Sequence, residues 1–230
     1  MLSFDEWNVW YRTRRRQEDR TKPGWPVAPP ILEEVYTMAD ALAFGGICIA
    51  LLNHADRVKV ACLAQLVNVI APIMTATGGP AWRQTIFFPF AQMSNLGRGR
   101  VLRSRIDCPT YAASSYDPRG AEEHRVPRPA VPWLKLAAVH DAGAGKLTLF
   151  ALNRSLDQAL PLEVSARGFA GLAVEQVQEL RDDDLKAVNT RADPERIRPA
   201  ALAGVTVEGE TIRATLAPAS WNVIRLDARG

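Results

Sequence analysis

Two polar side chains in the first third of the chain stand where a strand hands over to a loop. Glu6 follows a strand-like run at residues 2–4, and Gln65 follows the β-branched run RVKVACL at residues 57–63. Each lies among apolar or aromatic neighbours. In a β/α barrel the C-terminal ends of the strands build the active site, so both positions have the placement of site residues. A carboxylate there is placed for acid, base or nucleophilic work. An acid at a strand end more often caps the next helix or pairs with an arginine than it catalyses, and the residue pattern leaves these readings open. Other motif-like stretches lead nowhere. Cys48, Cys62 and Cys108 are odd in number and lack CxxC spacing, so they describe neither a disulfide framework nor a zinc site. His54, His124 and His140 are too scattered for a metal cluster. Asp182-Asp-Asp184 reads as a solvated turn, and Gly97-Arg-Gly99 lacks the third glycine of a phosphate-binding loop. Asn153-Arg-Ser155 fits a glycosylation sequon of a kind common by chance.

Composition narrows the class of partner. With 47% apolar and 23% charged residues, the 230-residue chain reads as an ordinary soluble globular protein of one large or two modest domains. A net charge of +3 argues against nucleic acid or an anionic membrane surface as partner. The basic cluster Arg12-Thr-Arg-Arg-Arg16 is partly neutralised by Glu18 and Asp19 and reads as a solvated loop. No apolar run is long enough to span a bilayer, and Met1 is not followed by a signal-type sequence. Cysteine usage fits a reducing, cytoplasmic compartment.

The elements that must hold Glu6 and Gln65 alternate between strand and helix. A loop rich in Arg, Pro and Gly is expected through Lys22-Pro-Gly-Trp25 and Ala28-Pro-Pro30. Thr37-Met-Ala-Asp40 has the form of a capping box and opens a helix reaching to about His54. That helix is apolar over most of its circumference, which predicts burial on more than one side, and Gly45-Gly46 in its interior predicts close approach of another backbone. A further loop at residues 75–80 leads to Trp82 and a helix over residues 88–96. After residue 99 the character changes. Five prolines between Pro109 and Pro132 predict irregular chain. Short strands are then expected at residues 134–140, 146–153, 160–165, 173–180, 204–207, 212–216 and 221–226, a pattern of antiparallel sandwich type.

Several long runs resemble one enzyme family. Phe4-Asp-Glu-Trp-Asn-Val-Trp-Tyr11 resembles the nucleophile strand of the α-L-arabinofuranosidases of glycoside hydrolase family 51. The likeness continues through Trp25-Pro-Val-Ala-Pro-Pro30, through residues 54–75, through Gly79-Pro-Ala-Trp-Arg-Gln84 and to Ser220-Trp-Asn-Val-Ile-Arg-Leu226. It covers almost the whole chain, more loosely in the sandwich. The resemblance implies that Glu6 is the catalytic nucleophile of a retaining glycosidase. It also implies that Trp10 offers an indole face to a furanose ring and that Gln65 hydrogen-bonds a sugar hydroxyl. The implied fold is α/β plus all-β: residues 1–99 as the last two strand–helix units of a (β/α)8 barrel, and residues 100–230 as a jelly-roll-like antiparallel β-sandwich. The implied substrate is an arabinofuranosyl-containing oligo- or polysaccharide such as arabinan or arabinoxylan. No cofactor or metal is implied, and a longer parent would be a homo-oligomer.

One part of the family's equipment is absent. A retaining glycosidase uses two carboxyl groups about 5–5.5 Å apart. The family carries its acid/base in an Asn-Glu pair on an earlier strand, and this sequence contains no Asn-Glu dipeptide. A whole barrel takes typically ~250 residues, and fewer than half that number precede the sandwich here. The expectation is therefore the C-terminal portion of a longer enzyme, inactive alone, whose first strand would expose unpaired edges. Two alternatives remain: a non-catalytic carbohydrate-binding or assembly module, and one chain of a split enzyme.

Overall fold

The computed structural model describes residues 1–10, 33–116 and 125–228. The basic cluster at residues 12–16, the loop expected at residues 22–30 and His124 lie outside them. The chain divides into two compact units: Met1–Arg98 with Leu180–Ala200, and Gly99–Glu179 with Ala201–Gly230.

The first unit opens with a strand–helix–strand. Strand β1 (Leu2–Trp7), helix α1 (Met38–Asn53) and strand β2 (Val58–Leu63) follow in order, and β1 and β2 pair in parallel as a two-stranded sheet. Parallel neighbours need a crossover, and α1 provides it. The Thr37–Asp40 capping box forms: the Asp40 N–H donates to Thr37 Oγ1 (3.3 Å) and the Thr37 N–H to Asp40 Oδ2 (2.7 Å). As the apolar circumference of α1 requires, Met38, Ala41, Phe44, Gly45, Gly46, Cys48 and Ile49 are all buried. Burial pushes the Cys48 thiol far above its usual range, so it is an inert core group. Trp7 stacks on Phe44 with ring centroids 4.6 Å apart and lies 6.3 Å from Phe90 of α2 (Phe87–Leu96). Between β2 and α2 a small hairpin forms from β3 (Ile73–Thr75) and β4 (Ala81–Arg83).

The segment at residues 180–200 belongs to this unit although it follows a strand of the other one. Its carbonyls at Ala187 and Leu185 accept from the N–H groups of Met38 (2.9 Å) and Ala39 (3.0 Å). These are two of the donors that a helix start leaves without an internal partner. Asn189 Nδ2 donates to the Arg83 carbonyl (3.0 Å) and to that of Ile197 (2.8 Å). Asp182-Asp-Asp184 forms a turn, with Arg196 paired to Asp184 (3.3 Å) and to Asp182 (3.8 Å). Among the described residues no cluster of His, Cys, Asp or Glu could hold a metal ion.

The second unit is built of strands. They are β5 (Arg100–Leu102), β6 (Thr110–Tyr116), β7 (Arg125–Pro132), β8 (Leu134–Asp141), β9 (Lys146–Asn153), β10 (Leu160–Ser165), β11 (Ala173–Leu180), β12 (Ala200–Ala201), β13 (Thr206–Glu208), β14 (Thr211–Leu216) and β15 (Ser220–Asp227). A six-stranded sheet has the order β12-β11-β15-β9-β8-β5, and a three-stranded sheet the order β10-β14-β13. Alternate residues of both sheets meet in one core: Leu134 and Leu136, Leu147 and Leu149, and Ile224 and Leu226 from the larger; Leu160, Leu162, Ile212 and Leu216 from the smaller. Gly99 is required at the entry to β5. Its φ is +111°, and a Cβ there would stand 2.2 Å from the His140 carbonyl oxygen.

Two expectations need correction. The described part of the proline-rich stretch is not irregular: β6 and β7 pair antiparallel as a separate ribbon. In a two-stranded ribbon the outward edge needs no N–H donors, so Pro127 opposite Ser114 and Pro132 opposite Thr110 are tolerated, and Pro129 falls where the register shifts between Tyr111 and Ala113. Strand β1 also runs past residue 4 to Trp7, so Glu6 sits inside the strand rather than after it.

Asn153 makes a sharp stability prediction. It is fully buried, its Nδ2 donates to the carbonyls of Gln158 (2.9 Å), Leu216 (3.1 Å) and Ala217 (2.9 Å), and its Oδ1 accepts from the Ser155 N–H (3.0 Å). Asn153→Ala leaves several backbone groups unpaired in the interior and is expected to destabilise the second unit by about 3 kcal/mol. Chemical denaturation followed by the fluorine resonance of 5-fluorotryptophan at position 221 would read the loss.

Candidate active site

Strand β1 carries an irregularity at the residue that matters. Phe4 pairs with Ala61 and Trp7 with Leu63, so Asp5 and Glu6 together face Cys62 alone. A β-bulge of this kind re-aims side chains and is frequent beside active sites. Its effect is visible in the rings: Phe4 and Trp7, three residues apart, stack 6.5 Å from one another, with Trp7 packed on Phe44.

Glu6 and Trp10 line one cavity of about 600 Å³, together with Phe4, Trp7, Asn8, Ile47 and Ala64. Glu6 is exposed, and Trp10 is 51% exposed. Among the described residues lining that cavity, Glu6 is the one carboxyl group. Gln65 is exposed and is not among the lining residues. It follows directly on Ala64, which does line the cavity and whose N–H donates to the Trp7 carbonyl (3.1 Å), keeping the ends of β1 and β2 level. The structure therefore joins two of the three candidate residues in one concavity and leaves the third at its border.

Residues that sequence reasoning did not single out hold this arrangement. The Asn8 side chain donates to the Ile70 carbonyl and accepts from the Val9 N–H (2.8 Å). Tyr36, with no exposed surface, donates its hydroxyl to the Val9 carbonyl (3.2 Å). Gln84, 1% exposed, bridges residues 34–36 and 71. Asn8 and Gln84 fall inside the two motifs quoted above for the family likeness, which was the available signal. The two described histidines have structural places: His54 ends α1, and His140 meets the Phe169 ring edge-on at 4.9 Å.

Comparison with known proteins identifies the family. The chain matches the α-L-arabinofuranosidase C-terminal domain over residues 5–220 and belongs to that family. It is 50% identical over 224 residues to an intracellular exo-α-(1→5)-L-arabinofuranosidase of Streptomyces lividans, covering 97% of this chain and 32% of that protein. It is 42% identical to a Bacillus subtilis enzyme described in the same words, covering 98% of this chain and 42% of that one. A solved family 51 α-L-arabinofuranosidase of Bifidobacterium longum superposes with a TM-score of 0.81 at 37% identity, over 97% of this chain and 41% of that one. The chain thus spans about a third to two fifths of the length of these relatives.

Proposed function

We propose that the chain is the C-terminal portion of a retaining exo-α-L-arabinofuranosidase that removes terminal arabinofuranosyl units from arabinan or arabinoxylan side chains. Met1–Arg98 supplies the last two strand–helix units of a (β/α)8 barrel, and the strand-built unit is the accompanying β-sandwich. Glu6 is the nucleophile: its ionised carboxylate attacks the anomeric carbon and forms a glycosyl-enzyme ester, which water then cleaves. Trp10 lies along the apolar face of the sugar ring, and Gln65 reaches one of its hydroxyls. The acid/base comes from sequence outside this chain. The observation that carries this reading is the bulge in parallel strand β1, which sets Glu6 in one cavity with Trp10 while Trp7 packs on α1.

The barrel reading draws further support from the surface of β1 and β2. Leu2, Phe4 and Val60 are 56%, 43% and 48% exposed, and an apolar groove of about 380 Å³ runs past Leu2, Phe4, Ile47, Leu51 and Val58. Parallel sheets are ordinarily covered on both faces, which two strands alone do not achieve. The relatives described as intracellular favour a cytoplasmic location.

The test joins this chain to the upstream part of the Streptomyces lividans relative, fused or as a separate polypeptide. Hydrolysis of 4-nitrophenyl α-L-arabinofuranoside is expected to return. Glu6→Ala in that assembly should abolish it, and azide should restore product release as the β-configured arabinofuranosyl azide, because azide then attacks from the vacated face. Full activity of the Glu6→Ala assembly would overturn the assignment. Glycan binding by the chain that survives Glu6→Gln, with no activity in any assembly, would favour a binding module instead.

A further inference from the structure

We propose that buried Gln84 and Tyr36 and half-buried Asn8 form a polar clamp that positions Trp10 against the loop carrying Gln65; this rests on the sugar-site reading above. Three contacts define the clamp on the Gln84 side. Its Oε1 accepts from the Tyr36 N–H (2.9 Å), and its Nε2 donates to the carbonyls of Glu34 (3.0 Å) and Ala71 (2.8 Å). Its own N–H donates to the Pro72 carbonyl (2.8 Å). Tyr36 passes the connection on, with its hydroxyl on the Val9 carbonyl (3.2 Å), one residue before Trp10. Asn8 closes the circuit from Val9 back to Ile70. The backbone leading to Trp10 and the far end of the loop that begins at Gln65 therefore hang on the same three side chains.

The loop needs such a clamp. Ile70 has φ +39° and Asn68 φ +63°, in the left-handed region that β-branched residues especially avoid. Ile70 is only 2% exposed. Backbone held in such a state persists where its surroundings over-determine it, and such sites cluster at ligand-binding positions. Asn68 secures the loop's base, accepting from the Thr75 N–H (2.7 Å) while its own N–H donates to the Ile73 carbonyl (2.8 Å). Trp10 and Gln65 are both exposed, so their separation depends chiefly on the backbone beneath them. Recognition of one sugar by both demands that this separation be kept to a fraction of an ångström. The three clamp residues act through others and are positioning residues.

The experiment labels the 230-residue chain with 5-fluorotryptophan and assigns the Trp10 fluorine resonance by Trp10→Phe. Gln84→Met, which removes all three side-chain hydrogen bonds at similar volume, should shift and broaden that resonance. It should also speed amide exchange at Val9, Gln65 and Ala71 by at least ~tenfold, as expected of local opening. The Trp221 resonance in the second unit should stay in place. Tyr36→Phe, which deletes one hydroxyl, should move the Trp10 resonance and leave exchange at Gln65 unchanged. A general structural role would not separate the two arms in this way. Unmoved Trp10 resonance and exchange in both variants would overturn the clamp. Titration of the assembly with the upstream part of the Streptomyces lividans relative by 1,4-dideoxy-1,4-imino-L-arabinitol separates this from the sugar reading: it should shift the Trp10 resonance, and Gln84→Met should need about tenfold more of it. An assembly indifferent to the iminosugar, in which the variants still displace Trp10, would uphold the clamp and sink the sugar site.

Discussion

The purified 230-residue chain is expected to hydrolyse 4-nitrophenyl α-L-arabinofuranoside no faster than its own Glu6→Gln form. Retaining hydrolysis needs a proton donor for the leaving oxygen and a base for the incoming water, both served by a second carboxyl group about 5–5.5 Å from the nucleophile. Glu6 is the one carboxyl among the described residues lining its cavity, and the sequence has no Asn-Glu pair. General acid–base catalysis is typically worth ~10²–10⁴-fold. Loss of further contacts around the sugar removes more, so the remaining rate should vanish into the background. A nitrophenolate leaving group needs little protonation and makes the test generous. Turnover above that of Glu6→Gln would overturn the incomplete-site reading.

Thermal unfolding is expected to occur in two steps, with the first unit opening before the second. Strands β1 and β2 have only each other, and the larger side chains on them, Leu2, Phe4 and Val60, are partly in water. Strand β9 contrasts with them: every residue from Leu147 to Asn153 is buried, between antiparallel partners on both sides. Apolar burial scales with area removed from water, so the two places differ in what holds them. Amides of β1 and β2 should exchange at least ~10³-fold faster than those of β8 and β9, because opening of a weakly supported element stops well short of global unfolding. Calorimetry should resolve two transitions. One coincident transition by calorimetry, exchange and fluorescence would show that the two-stranded sheet is as firmly held as the larger one.

Much of this architecture was readable in the residues. The strands at 146–153, 160–165 and 173–180 have the predicted bounds, because apolar runs end sharply at Asn, Ser and turn residues. Thr37 and Asp40 announced the start of α1 for a local reason, a reciprocal cap that needs no tertiary partner. What escaped depends on pairing between distant segments. Proline looks like an interruption until the number of strands in the ribbon is known, which hid β6 and β7. The bulge at Asp5 and Glu6 is a property of register against β2, not of either strand. Nothing in the residues around Gln84 marks it as interior; only the approach of residues 34–36 and 71 makes it an interior junction. Strand-end placement singled out Glu6 but left a helix cap or an ion pair as the commoner alternatives for its carboxylate, and the roles proposed for Glu6 and Trp10 come from the family likeness.

The return of residues 180–200 to the first unit bears on how such a protein can be recombined. Met38 and Ala39 obtain hydrogen-bond acceptors at Leu185 and Ala187, more than a hundred positions downstream. A crossover that joined residues 1–98 to a foreign C-terminal half would strip the start of α1 of these acceptors unless the newcomer brought its own matching segment. Exchange between homologues should therefore succeed when that stretch travels with the amino-terminal parent, and fray the helix when it does not.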